Sequence, residues 1–302
     1  MSKKKLIVFC LFFLLIRSAE GSDIHLVTVN NHRENSDSRR YDYSHERIRE
    51  LITWEDDSVS GYDFSYCIID KARLDCLSDI SNCSFAHARF LAGNVSVYKD
   101  CNFTQAWFGP KCYVSIPPEN LIQTKNFHLK RLDFVLLGVS LHNVDCSSFD
   151  ISNQFIVRDF EGACFNDTYF HDVWIASIPK ELLKQTRNYK EGIFYKIKFI
   201  PDRHITNVKN TFQNLDISKK EFIECSIVNF SMKNAIMEDT VFIDTYISSD
   251  LTLEQIKQTW NYKSGRMDLL KLPEGLQKQV DAELEKEGRR VKTDVEKEFT
   301  GK

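Results

Sequence analysis

Bulky apolar residues recur at every fifth position along much of this 302-residue chain. That spacing fits neither the 3.6-residue repeat of an amphipathic helix nor the two-residue alternation of a flat strand. Phe212, Ile217, Phe222, Ile227, Met232, Met237, Phe242 and Ile247 follow one another without a miss. Shorter runs precede them: Phe64, Ile69, Leu74; Ile80, Phe85, Phe90, Val95; Tyr98, Phe103, Phe108, Tyr113; Leu129, Phe134, Val139, Val144, Phe149; and Phe155, Phe160, Phe165, Phe170, Ile175. Each change of phase between runs marks a loop or a bulge.

Two residues before the large side chain the chain often places a small one, as at Cys67, Ala72, Ser78, Cys83, Ala88, Gly93, Cys101, Ala106, Ser147, Ala163, Thr168, Cys225, Ala235, Thr240 and Thr245. In extended backbone, residues i and i−2 point the same way, so the large and small members share an interior face. Five is odd, so the next large residue of a straight strand would point outward. Keeping every member inside requires a corner in each repeat. Four such sides close a square coil of about 20 residues, and successive coils stack in parallel about 4.8 Å apart.

The triplets Cys83-Ser84-Phe85, Ala88-Arg89-Phe90, Cys101-Asn102-Phe103, Ala106-Trp107-Phe108, Ala163-Cys164-Phe165 and Cys225-Ser226-Ile227 resemble the small-polar-apolar core of the pentapeptide-repeat family. The resemblance covers residues 62–247 with interruptions. It implies a mainly β fold: a right-handed quadrilateral parallel β-helix, a solenoid, with short helical inserts and a C-terminal helix. The structural core is then Phe64, Phe85, Phe90, Phe103, Phe108, Phe149, Phe160, Phe165, Phe170, Phe212, Phe222, Ile227, Phe242 and Ile247. Lys220, Phe230, Arg158 and His142 stand at small-residue positions and depart from the family pattern, as in a degenerate member.

A longer repeat interrupts the short one. Residues 117–127 (PPENLIQTKNF), 179–189 (PKELLKQTRNY) and 252–262 (TLEQIKQTWNY) share Glu, an aliphatic residue, Thr, Asn and an aromatic in register. Proline begins two copies, and a Thr252/Gln255 capping box begins the third, so each reads as a helix of about two turns. The Asn tolerates the left-handed conformation past a helix end and is expected there, with the following aromatic returning to the core. These inserts serve either as a row of recognition elements or as braces between coils. Met267 and Leu272 resume the spacing of five after the third.

Stacked parallel strands expose unpaired backbone at both ends, which invites polymerisation unless covered. Within an N-terminal cap segment, 22–61, Ser44 to Trp54 reads as a short amphipathic helix with Ile48, Leu51 and Ile52 on one side. The repeats and their inserts fill 62–273. Residues 274–302 read as a charged helix with Leu276, Val280, Leu284, Val291, Val295 and Phe299 on a narrow stripe, broken near Gly288. It caps the stack or forms a coiled-coil dimer arm.

Residues 1–21 read as a secretory signal peptide: basic Lys3, Lys4 and Lys5, an apolar Leu6 to Ile16, and a small-x-small site at Ala19-Glu20-Gly21. The apolar run is too short to span a bilayer, which needs about 20 residues, so no transmembrane segment is expected after cleavage. Removing the segment takes away a net +3 and moves the formal charge from −3 to −6. That mild acidity argues against a nucleic-acid groove. Eight cysteines stay: Cys67, Cys76, Cys83, Cys101, Cys112, Cys146, Cys164 and Cys225. An oxidising compartment permits disulfides, eight thiols allow 105 pairings, and the repeat phase favours small core residues for at least four.

The chain carries no Gly-rich phosphate loop, no His-Glu-x-x-His, no Gly-x-Ser-x-Gly and no Cys-x-x-Cys. Cys83 and His87 suggest a metal pair by spacing alone, but the inward phase of Cys83 favours a buried thiol. The outward acids Asp159, Glu161, Asp167, Asp172, Glu224, Glu238, Asp239 and Asp244 read as a solvated face. Asn82, Asn94, Asn102, Asn166 and Asn229 stand in glycosylation acceptor sequences. No catalytic, cofactor or metal residue is expected. The function expected is an exported, non-catalytic scaffold that binds a protein or a surface glycan and no nucleic acid. The alternatives are a polysaccharide-active β-helix enzyme and, through the family resemblance, a DNA-mimic topoisomerase-binding protein.

Overall fold

Members of the five-residue series meet one another across parallel strands. In the computed structural model, Ile69 pairs with Phe90 and Phe90 with Phe108, while Phe222 pairs with Phe242 and Ile227 with Ile247. The structure describes residues 23–24, 27–28, 44–52, 58–74, 79–96, 100–152, 156–175, 178–199 and 211–289. The secretory segment, the sequence after 289 with Val291, Val295 and Phe299, and Tyr98, Phe155 and Arg158 lie outside the described residues or side chains.

One sheet of eight strands takes in Arg47–Ile52, Ile68–Leu74, Arg89–Ser96, Trp107–Ser115, Val135–Ser140 and Ile156–Asp159, in chain order, with Asp23–Ile24 and Val27–Thr28 both on Arg47–Ile52. A second, of nine, runs from Arg131–Leu132 through Asp150–Ser152, Tyr169–Ile175, Ile193–Phe199, Ser226–Val228 and Thr245–Ser248 to Leu270–Lys271. Glu221–Ile223 and Val241–Ile243 pair beside it. Ser58–Ser60 and Asp79–Ser81 make a third, two-stranded sheet.

Seven α-helices are described: α1 (Pro118–Leu121), α2 (Lys125–His128), α3 (Lys180–Gln185), α4 (Arg187–Glu191), α5 (Leu253–Gln258), α6 (Trp260–Ser264) and α7 (Glu274–Lys286). This corrects the expected mainly β, quadrilateral β-helix: the architecture is α/β-type, with two long parallel sheets and helices in the connections. A square coil needs four short sides, each with its own ladder. Here Arg89–Ser96 and Trp107–Ser115 are each a single strand across the expected corners, with a register shift between Phe90 and Ala92, and other sides are held by single bridges such as Asp63 to Ser84 and Ser84 to Asn102.

The interior between the sheets is aromatic. Phe64, Phe85 and Phe103 stack at 5.2 and 5.1 Å, Phe90 and Phe108 at 5.0 Å, and Phe194, Phe222 and Phe242 at 4.6 and 5.3 Å. Such pairs add about 0.5–1.5 kcal/mol to the burial of their area. Phe149, Phe160, Phe165, Phe170, Phe212, Ile227 and Ile247 are buried with them. Small residues fill the space beside the rings: Cys67, Ala72, Ala88 and Ala106 are fully buried. Where the small residue is Thr, its hydroxyl is satisfied, Thr168 donating to the Cys146 carbonyl at 2.6 Å and Thr240 to that of Ile217 at 2.8 Å.

Among the described residues, two members of the series lie outside. Tyr113 is 45% and Leu129 56% exposed. The register of Trp107–Ser115 shifts after Phe108, where Ala92 faces Lys111, so Cys112 and Val114 turn inward in place of Tyr113. The helix expected over Ser44 to Trp54 is also corrected. Arg47–Ile52 is a strand, and Ile48 and Leu51 are buried as sheet residues facing Ile69 and Ala72.

Each expected two-turn insert is a pair of short helices, α1–α2, α3–α4 and α5–α6, broken at Thr124, Thr186 and Thr259. The Thr hydroxyl donates to the carbonyl three residues back, at 2.6–2.7 Å, and accepts from the amide three residues on, at 3.2 Å. It ends one helix and caps the next. The repeated Asn does not terminate anything. Asn126, Asn188 and Asn261 are buried inside α2, α4 and α6, and left-handed Gly192 and Gly265 end the last two pairs.

Helix α7 turns its stripe onto its own chain: Val280 and Leu284 are buried, and Glu283 meets Lys257 of α5 at 2.9 Å. It ends at Lys286, ahead of left-handed Gly288, and Arg289 donates to the carbonyls of Tyr262 and of Lys263 (2.9 Å). The described part of the expected dimer arm is thus committed within the chain.

Candidate functional site

Four turns enter the first sheet through a residue in the left-handed conformation: His45, Tyr66, His87 and Gln105, with φ of 58–66°. This region costs L-residues about 1–2 kcal/mol. The same conformation occurs at 19 non-glycine positions of the described chain, so it belongs to the turn and is no mark of a site. Its consequence is directional. The amide of each joins the next turn, His45 to Ser65, Tyr66 to Ala86, His87 to Thr104 and Gln105 to Gln123, at 2.8–3.0 Å, which puts the four residues in one row.

His45 and Tyr66 stack at 4.7 Å and 4°, Tyr66 and His87 at 4.6 Å and 3°. Tyr66 is half exposed. A second row runs beside the first. Pairing aligns Arg47 with Ile68, Ile68 with Arg89, and Arg89 with Trp107, and the Lys125 amide bonded to the Ala106 carbonyl (2.7 Å) continues it. The Arg89 guanidinium lies 5.5 Å from the Trp107 ring centroid, within cation–π range. Arg47 is engaged by Asp70 at 3.3 Å. Where the two rows meet α2, His87, Arg89, Gln105, Trp107, Lys125 and Leu129 line a groove of about 410 Å³. Among the described residues no carboxylate lies within ion-pair distance of Arg89 or Lys125.

A larger cavity, about 590 Å³, lies beside α5. Its amides are already committed, Gln255 Nε2 to the carbonyls of Met232 and Ala235 and Gln258 Oε1 to the Met237 amide. On the second sheet, cations also sit on rings: Lys198 on Trp174 at 4.9 Å and Lys220 on Tyr189 at 4.1 Å. Lys220 fills its small-residue position with its stem, and its ammonium donates to the Tyr189 carbonyl at 2.8 Å. Burial holds its pKa below the ordinary lysine value.

Cys83 and His87 do not converge. Cys83 is buried, its thiol held below the ordinary value by a hydrogen bond with Cys101, whereas His87 points out of the turn onto Tyr66. Cys101 is pushed up by the same bond and by burial. Burial pushes Cys112, Cys146 and Cys225 up to about 12. Among the described residues no three His, Cys, Asp or Glu side chains are grouped to hold a metal. Several outward acids meet lysines: Asp167 with Lys190 at 2.7 Å, Glu224 with Lys196 at 3.5 Å, and Glu238 and Asp239 with Lys263. The core residues singled out in the sequence form no exposed site; all lie inside.

The outer rows escaped sequence reading because their members are 21 or 18 residues apart and each is ordinary alone. The available signal was the residue just before each buried small one: Tyr66 before Cys67, His87 before Ala88, Gln105 before Ala106. Fold and site together define an α/β-type protein of parallel sheets that displays a fixed outward row of rings beside cations. No family model matches the chain, and no curated protein matches it.

Proposed function

We propose that this protein is an exported, non-catalytic interaction scaffold whose first sheet presents its binding face. The observation that carries the reading is the stacked row His45–Tyr66–His87 running into the groove of Arg89, Trp107 and Lys125. Rings held parallel by backbone pairing are already ordered, so a ligand binding them forfeits little side-chain entropy. Export rests on the sequence of residues 1–21, and kinship with the pentapeptide-repeat family on the small-polar-apolar triplets. Among the described residues no helix is long and apolar enough to cross a membrane.

The test is a binding panel of surface polysaccharides and extracellular proteins, with the wild-type chain beside Tyr66→Ala/His87→Ala. A partner whose binding is lost in the double variant, at unchanged thermal stability, supports this face. Partners that bind the variant as tightly as the wild type would remove it.

A further inference from the structure

We infer that the groove at Arg89, Trp107 and Lys125 takes an acidic polysaccharide, a sugar ring against Trp107, its carboxylate or sulfate on the cations and the chain running along the ring edges of the row; this rests on the binding face proposed above. Three features of the site select that chemistry. The first is repetition. Successive parallel strands place equivalent side chains about 4.8 Å apart, and the rings of His45, Tyr66 and His87 follow one another at 4.7 and 4.6 Å. The rings cover one another's faces and present their edges outward at equal steps, a repeat that suits a polymer better than a single small molecule.

The second is charge. Arg89 and Lys125 are exposed, border the same groove and have no carboxylate within ion-pair distance among the described residues. Other described cations also lack an ion pair, but these two share one groove with an aromatic ring between the strands and the helix. Two cations left open on an acidic protein form a local anion site. The guanidinium fork of Arg89 matches a carboxylate or a sulfate, with Lys125 as a second point charge. Arg47 is already held by Asp70, so the anion site lies at the Trp107 end of the row.

The third is the kind of apolar surface. Trp107 is partly exposed beneath Arg89, and Leu129, 56% exposed, borders the groove. Gln105, in the same lining, supplies a neutral donor and acceptor for hydroxyls. A flat ring, an amide and a cation side by side suit a pyranose that bears an acid group. A protein partner would call for a wider apolar patch than these few side chains supply.

The experiment uses the full secreted chain and measures its affinity for polygalacturonate, dextran sulfate, neutral dextran, inorganic phosphate and a short DNA duplex. The inference predicts binding to one or both acidic polysaccharides that weakens as salt is raised, and none to neutral dextran. Arg89→Ala and Lys125→Ala should each weaken it about ten-fold, the scale of one charge-assisted hydrogen bond. Polygalacturonate against dextran sulfate decides whether the anion is a carboxylate or a sulfate. The inference is overturned if neutral dextran binds equally well, if phosphate or the duplex binds as tightly as the acidic polymers, if no probe binds, or if both substitutions leave affinity unchanged. In any of those cases a partner still lost with Tyr66→Ala/His87→Ala preserves the binding face. A partner indifferent to all four substitutions removes both.

Discussion

Asn188 holds the backbone of Phe170 from both sides: its Oδ1 accepts the Phe170 amide at 2.7 Å, and its Nδ2 donates to the Phe170 carbonyl at 2.8 Å. The side-chain amide thereby replaces a peptide unit of the missing neighbouring strand at the place where α4 interrupts the sheet. Asn126 does the same for Phe108, and Asn261 for Phe242. Replacing Asn188 by Ala leaves a buried donor and a buried acceptor unmet, a loss of about 2–4 kcal/mol. Asn126→Ala and Asn261→Ala should cost similar amounts. Urea unfolding of the three variants checks this, and midpoints equal to wild type would show that the bonds contribute nothing.

The phase correction predicts an unequal pair. Phe222→Ala should destabilise by about 3–5 kcal/mol, as for other emptied aromatic sites. Tyr113→Ala, at a bulky position of another five-residue run but exposed, should stay within about 0.5 kcal/mol. Thermal unfolding of both variants decides it. A large loss at Tyr113 would put that ring back inside.

Much of the interior was legible because a spacing of five admits few solutions, and every member from Phe212 to Ile247 is buried. The phase failed at Tyr113 because one extra residue slips into a strand without leaving a mark in composition. The same ambiguity misled the reading of Ile48, Leu51 and Ile52, since apolar residues three and four apart suit a helix or a strand whose facing changes along its length. The square coil failed for a related reason: spacing fixes which residues are inside but not where the backbone bends. The three inserts were visible as copies, yet the role of their Asn was not, because its partner lies 18 or 19 residues away.

Gly93 and Gly61 make a second contrast. Gly93 has φ of +111°, and a Cβ there would lie 2.0 Å from the Ala72 carbonyl oxygen, in the neighbouring strand. Gly93→Ala should cost about 3 kcal/mol or more from strain and overpacking together. Gly61, at φ +78° with open space around it, should lose only about 1 kcal/mol on the same change. Chemical denaturation orders the two, and equal losses would refute the close strand contact.

Cys112, Cys146 and Cys225 have folded-state values of about 12 against an ordinary 9.0, burial being the largest cause. Between those pH values the unfolded chain releases thiol protons that the folded chain keeps, so the thiols make stability fall as pH rises through that window and leave it unchanged below it. They should resist alkylation at pH 8 in the folded protein and react fully in denaturant. Mass mapping of labelled peptides reads the result. Rapid native labelling at all three would contradict their burial.

The most direct test of the account is a double-mutant cycle between Phe222 and Phe242, whose rings stack at 5.3 Å across paired strands. Phe222→Leu and Phe242→Leu, measured singly and together by urea unfolding, should show a coupling of about 0.5–1.5 kcal/mol. Strict additivity, within about 0.3 kcal/mol, would mean that these two residues are not neighbours and that the parallel register joining the five-residue series is wrong.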